Sequence, residues 1–149
     1  MNENKYLTCL AGAHIFFIKN DMLCMIRRQN TGHGDGKYSV PAGHVDDGER
    51  MIDAAIREAR EEVGVIVKEE HLSFAHVVHV RKRDPLLPDR VQFFFVAHDW
   101  EGELKNLEPE KCDDISWFPV ATLPENTVAY AAQAFHEYQK GVLLSTFNE

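Results

Sequence analysis

The sequence predicts an α/β fold in which a mixed β-sheet is held between helices. Three observations predict it. A central segment places Ile52, Ala55, Ile56, Ala59 and Val63 in one stripe at helical spacing. Apolar segments of strand length, separated by turn residues, lie on both sides of it. A second helical pattern near the end puts Val128, Ala131, Ala132, Phe135 and Tyr138 on one face. At 149 residues, with no internal repeat, low-complexity tract or linker, the chain is expected to form one domain over 1–149.

The elements follow in order. Thr8 to Lys19 reads as a mostly buried strand. It contains His14 and lacks a basic lead and a cleavage region, so a strand is expected rather than a signal peptide. A turn at Asn20-Asp21 leads into a partner strand from Met22 to Arg28. Thr31 to Lys37, with Gly32, Gly34 and Gly36, is expected to be a mobile loop. Tyr38 to Pro41 is a short extended piece. After the central helix, Leu72 to Arg81 and Arg90 to Trp100 are expected to form a hairpin through a Pro85–Asp89 loop. Ile115 to Pro119 is a last short strand, in which Trp117-Phe118 is expected in the core or, as the other reading, as a stacking surface. Glu125-Asn126 opens the terminal helix, which Gly141 closes.

Composition narrows the function. Hydrophobic content of 44% and charged content of 27% are ordinary for a soluble globular protein. The formal net charge of −8 makes the chain a poor candidate for tracking a nucleic-acid backbone. Cys9, Cys24 and Cys112 are odd in number and widely spaced, with no zinc or redox spacing, and fit reduced thiols in a cytoplasmic protein. No apolar run approaches the length of a membrane span. A monomer or homodimer is expected.

The chemistry is concentrated in the central helix. Glu58, Glu61 and Glu62 fall at i, i+3 and i+4 on one face. Two full charges about 5 Å apart in an effective dielectric near 20 repel by roughly 3 kcal/mol. A cation between them relieves this. A cluster of oxygen ligands without His or Cys points to a hard cation, most simply Mg²⁺, with Mn²⁺ able to substitute. Ala54 lies among the glutamates, so no bulky side chain is expected to block that surface. Gly48 and Gly64 bracket the segment, and Gly64 suits a left-handed helix exit. From Asp46 to Glu62, seven acids face three arginines, for a net −4. A surface this acidic needs divalent metal to accept a polyphosphate.

The full spacing is Gly43, five residues, Glu49, seven residues, then Arg57-Glu58-Ala59-Arg60-Glu61-Glu62-Val63-Gly64-Val65. This resembles the signature of the Nudix hydrolase superfamily at every defined position. The resemblance implies a Nudix-type α/β/α sandwich with a mixed sheet. It also implies a metal-dependent enzyme that cleaves a nucleoside diphosphate linked to another group, with a small-molecule nucleotide as substrate. The second half is similar to MutT-type nucleoside triphosphate pyrophosphohydrolases. The resemblance implies metal ligation by Glu58, Glu61 and Glu62 and by the backbone carbonyl of Ala42, where Pro41-Ala42-Gly43 replaces a Pro-Gly-Gly. Glu108 falls at an additional metal-site glutamate of that group, with Glu103 and Glu110 as close competitors. Glu61 and Glu108 are the candidate general bases. Glu49 is expected to brace the loop, and Arg57 to orient carboxylates by ion pairing. Asn126 falls where the MutT group reads the base, although a helix N-cap is the other reading of that residue. Arg28 and Arg90 are candidate phosphate or base contacts, because a guanidinium matches phosphate oxygens in a bidentate fork.

Overall fold

The computed structural model describes residues 5–149. Among these lie β1 (Cys9–Lys19), β2 (Met22–Arg28), β3 (Tyr38–Ser39), β4 (Ala42–His44), α1 (Met51–Val63), β5 (Leu72–Arg81), β6 (Asp89–Ala97), β7 (Cys112–Pro119), α2 (Ala129–Gln139) and β8 (Leu144–Asn148). Residues 1–4 of the expected 1–149 domain fall outside the described residues. The expected turn is a two-residue hairpin, with Asn20 and Asp21 at φ 52° and 58°. Positive φ at both positions matches the twist of the flanking strands.

The sheet runs β3-β2-β1-β6-β5-β8, with β4 on β1 and β7 on β2. It is mixed. β1 runs parallel to β6 from Cys9↔Asp89 to Phe17↔Ala97. β5 is antiparallel to β6 and parallel to β8. Alternation along β1 and β6 splits the core. Ala13, Ile15, Phe17, Phe95 and Ala97 pack with Ala54, Ala55, Ala59 and Val63 of α1. Phe16, Phe94 and Val96 pack with Ala131, Ala134 and Phe135 of α2. This is the α/β/α sandwich that the sequence predicts. β1 is the hinge of its layout. Its first half pairs with β4 at Gly12, Ala13 and His14, and its last residues pair with β2. The sheet opens between those partners, and the cleft lies there.

Several expectations are corrected. Ala54 is fully buried in the core under α1, so its small side chain serves helix–sheet packing, not ligand approach. The glycine-rich loop carries no helix or strand, as expected, and within it the Asp35 carboxylate accepts from Thr31 N at 3.0 Å and Thr31 Oγ1 at 2.5 Å. The terminal helix begins at Ala129 with Val128 as its cap residue and no side-chain cap. Asn126 is therefore not the N-cap. Tyr38 N donates to Asn126 O and Val128 N donates to Tyr38 O, which keeps this stretch extended beside β3. Trp117 is not core: it is 38% exposed and stacks on Trp100 at 6.2 Å. β8 was not foreseen, because its mostly exposed residues carry a weak alternation and find their place only at the sheet edge.

Candidate active site

Helix α1 supplies the acidic side of the cleft. Its amphipathic stripe sits against the sheet and turns the other face toward β4 and the loop before it. Gly64 ends it at φ 73°, its N–H reaching the carbonyl of Arg60. That conformation costs a side-chain-bearing residue and suits glycine.

Arg57 brings a guanidinium among these carboxylates. Its Nε donates to Glu49 Oε2 at 2.9 Å and its Nη1 to Glu58 Oε1 at 2.7 Å. Nη1 also reaches Glu61 Oε2 at 3.2 Å, and Nη2 reaches the His44 carbonyl at 3.0 Å. One guanidinium thus joins three carboxylates to the loop backbone. Glu49 also accepts from the Asp46 N–H at 3.0 Å. The Arg57 hydrogen bonds hold its carboxyl down to about 2.

Glu62 lies deeper. Its Oε2 accepts from the Ala42 N–H at 2.8 Å. Burial pushes its carboxyl up to about 8, against that hydrogen bond and with help from the charges of Glu58 and Glu108. Burial also raises Glu58, with Arg57 opposing. Gly43 makes the close approach possible, since a Cβ there would lie 2.0 Å from Glu58 Oε1.

Glu108 arrives from a distant loop. That loop docks on the end of α1 through Lys105 N to Val63 O and Leu107 N to Glu62 O, both 3.0 Å. Asn106 shapes it by accepting from Glu108 N at 3.1 Å and donating to the Cys112 carbonyl at 2.7 Å. Glu62 and Glu108 line one small cavity beside the main cleft. Of the competing acids Glu103, Glu108 and Glu110, only Glu108 lines the main cleft.

The opposite side is basic and aromatic. A bulge at Arg27/Arg28 lies where β2 meets β7. Arg27 pairs with Asp113 at 2.7 Å, whereas Arg28 lines the cleft and donates from Nε to the His33 carbonyl at 3.2 Å. Arg90 pairs with Glu149 and lies over the Tyr130 ring at 5.5 Å. His14, Gln92 and Tyr130 complete this side. Burial, with Arg28 and Arg90 nearby, drives the His14 imidazole down to about 4, so it is neutral at pH 7.

The cleft therefore gathers Ala42, Arg57, Glu58, Glu61, Glu62, Glu108, Arg28 and Arg90. Glu49 stands behind Arg57. Asn126 does not line the cleft; its amide nitrogen donates to the Gly36 carbonyl at 3.0 Å. Sequence reasoning passed over His14, Gln92 and Tyr130. The available signal was a polar residue interrupting each of two apolar strands, β1 and β6.

The cleft has a volume of about 610 Å³, in the usual range for a small-molecule site. Its acidic donors are all oxygen, which fits a hard divalent cation. Among the described residues no three acidic, His or Cys side chains are already converged as a ligand set, since Arg57 and the Ala42 N–H hold the carboxylates.

A family model of the NUDIX domain matches residues 10–138. The chain belongs to the Nudix domain family. It is 27% identical over 118 residues to human 8-oxo-dGDP phosphatase NUDT18, covering 78% of this chain. It is 30% identical over 96 residues to the NAD-capped RNA hydrolase NudC of Vibrio parahaemolyticus, covering 64% of this chain. The match spans 34% of the length of each of these curated relatives. The MutT NUDIX hydrolase from Burkholderia pseudomallei superposes with a TM-score of 0.78 at 22% identity, over 87% of this chain and 97% of that one. A structure described as an ADP compounds hydrolase superposes with a TM-score of 0.68 at 27% identity, over 91% of this chain and 75% of that one. The fold of this Nudix domain is thus that of MutT-type Nudix hydrolases. No helix among its described residues is long and apolar enough to cross a membrane.

Proposed function

We propose that this single Nudix domain is a divalent-metal-dependent pyrophosphohydrolase of nucleoside diphosphate-linked compounds. Its proposed reaction takes a nucleoside triphosphate and water to a monophosphate and pyrophosphate. The observation that carries this reading is the cleft: glutamates from two distant segments lie across it from Arg28 and Arg90. Glu58, Glu61, Glu62 and the Ala42 carbonyl would hold the metal, most simply Mg²⁺, with Glu108 either joining them or serving as the base. When bound, the metal neutralises phosphate oxygens and lowers the pKa of an attached water.

The chain's own residues divide the remaining work. Arg57 holds Glu58 and Glu61 in place and ties them to the loop through Glu49. Arg28 and Arg90 receive phosphate oxygens or the nucleoside. Glu108 is the favoured base, because its carboxylate has no protein hydrogen bond among the described residues, whereas Glu61 is tied to Arg57. A base must be free to take a proton from water. Asn126 lies outside the cleft and holds the glycine-rich loop through the Gly36 carbonyl, so base reading by its amide would need that loop to meet the ligand. Reduced thiols, with Cys9, Cys24 and Cys112 all free, support a cytoplasmic setting.

The test is a nucleotide panel with Mg²⁺, scoring phosphate with and without added pyrophosphatase. Phosphate that appears only with pyrophosphatase supports the triphosphate reading. A nucleoside monophosphate plus a sugar phosphate would move the assignment to a sugar nucleotide. Cleavage of a dinucleoside polyphosphate or of an NAD-capped RNA, the substrate named for NudC, would replace it likewise. No hydrolysis of any member would leave a nucleotide-binding regulator.

A further inference from the structure

His14 and Gln92 have no part in the hydrolysis proposed above, yet they are only 4% and 7% exposed and line the cleft. Gly12 stands opposite Gln92, and His14 opposite Phe94, in the β1–β6 pairing. Alternation puts Gly12, His14, Arg90 and Gln92 on one face of the sheet. Burying two polar side chains there is costly unless each hydrogen bond is used.

The His14 ring is held by stacking on Phe94, with centroids 4.3 Å apart, and by the edge of Tyr130 at 5.9 Å. Its Nε2 lies 2.9 Å from Gln92 Oε1. A carboxamide oxygen only accepts, so Nε2 carries the proton. Nδ1 is then an acceptor, sealed from solvent and without a partner. The ring keeps this unpaired atom in order to hold Gln92. Gly12 makes the same arrangement possible from below, since a Cβ there would sit 2.0 Å from Gln92 Oε1. The amide is thereby fixed with its oxygen inward. Its nitrogen has no protein partner among the described residues and, unlike His14 Nδ1, is not sealed, which leaves it open toward the cleft that Gln92 lines. Of the neighbouring rings, His14 and Tyr130 line the cleft and suit a planar base, while the phosphates are drawn to the acidic, metal-binding side.

We propose that Gly12, His14 and Gln92 form a specificity element in which the fixed Gln92 amide donates to a nucleobase carbonyl, so that the cleft selects an oxo base over its amino counterpart. Gln92 makes the contact, and His14 and Gly12 position it. This rests on the nucleotide reading above but is tested apart from hydrolysis. Calorimetric binding of nucleoside monophosphates with Mg²⁺ compares IMP with AMP and UMP with CMP. Each pair differs at one carbonyl or amino group and the adjoining ring nitrogen. The wild-type protein is expected to favour the oxo member by about tenfold, the scale of one well-placed hydrogen bond. Gln92→Glu replaces the donor with an acceptor and is expected to reverse the preference. His14→Phe and Gly12→Ala release or displace the amide and are expected to bring the ratio near one, with melting curves confirming folded variants. Equal wild-type affinities, no binding of any monophosphate, or a preference unchanged in Gln92→Glu and His14→Phe would overturn the proposal. If the nucleotide panel is not hydrolysed but the oxo preference is present, the proposed reaction fails and this element stands.

Discussion

The two sides of the cleft are built in opposite ways. The acidic side is local: Ala42, Gly43, Glu49, Arg57, Glu58, Glu61 and Glu62 come from one short stretch of chain, and only Glu108 is imported. The basic and aromatic side has no local origin. His14, Arg28, Arg90, Gln92 and Tyr130 come from β1, β2, β6 and α2, and a parallel β1–β6 pairing brings two of those strands together. Local spacing builds the part proposed to hold the metal, and topology builds the part proposed to meet the rest of the ligand. Substitutions on the acidic side should therefore stop the reaction for every substrate, and those on the basic side should change which substrate is preferred.

The largest expected effect tests the acidic side. Glu62→Gln, or removal of divalent metal by a chelator, should lower kcat/KM by at least about 10²-fold for all nucleotides. The same variant should be more stable than wild type without metal. The sign follows from its raised carboxyl: between the unfolded value near 4.5 and the folded value of about 8, the folded state binds more protons. Metal-free stability therefore falls as pH rises through this window. Glu62→Gln should melt a few degrees higher at pH 8, where 1 kcal/mol is worth roughly 2–4 °C. That gain should vanish toward pH 4.5. Undiminished activity of this variant would remove Glu62 from the site.

Gly43→Ala tests whether the acidic side depends on a backbone contact. The new Cβ would meet Glu58 at 2.0 Å from Oε1 and 2.7 Å from Cγ. Pushing a carboxylate by about 1 Å should cost about 10²-fold in turnover. Wild-type kinetics would show that Glu58 can move without consequence. Gly64→Val tests the helix exit, where φ is 73° and a Cβ would also meet Leu107 at 3.1 Å. A loss of about 1–3 kcal/mol is expected in chemical denaturation, and an unchanged midpoint would contradict it.

On the other side, Arg28→Ala should raise KM about tenfold with little change in kcat, because a charge-assisted hydrogen bond is lost in ground and transition states alike. A fall in kcat alone would move Arg28 into the chemistry. The smallest effect is expected from Asn126→Ala. It removes the hydrogen bond to the Gly36 carbonyl and should cost about 1 kcal/mol in a melting curve. A changed ranking of bases would show that it also reads the ligand. A lowered melting temperature with the ranking intact would confine it to holding the loop.

The acidic side was legible because helical periodicity converts spacing into proximity without knowledge of the fold. Arg57 and Glu61, four apart, could be paired from the sequence, and the structure has them 3.2 Å apart. Gly64 could be read as a left-handed exit because few residues tolerate that conformation. Asn126 shows the limit of such reasoning. Its sequence context suits a helix cap, yet a bridge between Tyr38 and Thr127 delays the helix and turns the side chain to Gly36. Trp117 shows another. An aromatic residue in a strand was expected inside, but β7 lies beyond β2, and there Trp117 stacks on Trp100 while staying partly exposed.

By itself the sequence determined most of the strand and helix pattern, β8 and the start of α2 excepted, with the clustered glutamates and the glycines beside them, because these depend on contacts within a few residues. Only the tertiary structure decided that Glu108, rather than Glu103 or Glu110, joins the glutamates, since a loop folded onto the end of α1 selects it. It alone decided that His14 meets Gln92, 78 residues away. The register of two parallel strands sets that contact, and no local preference encodes it.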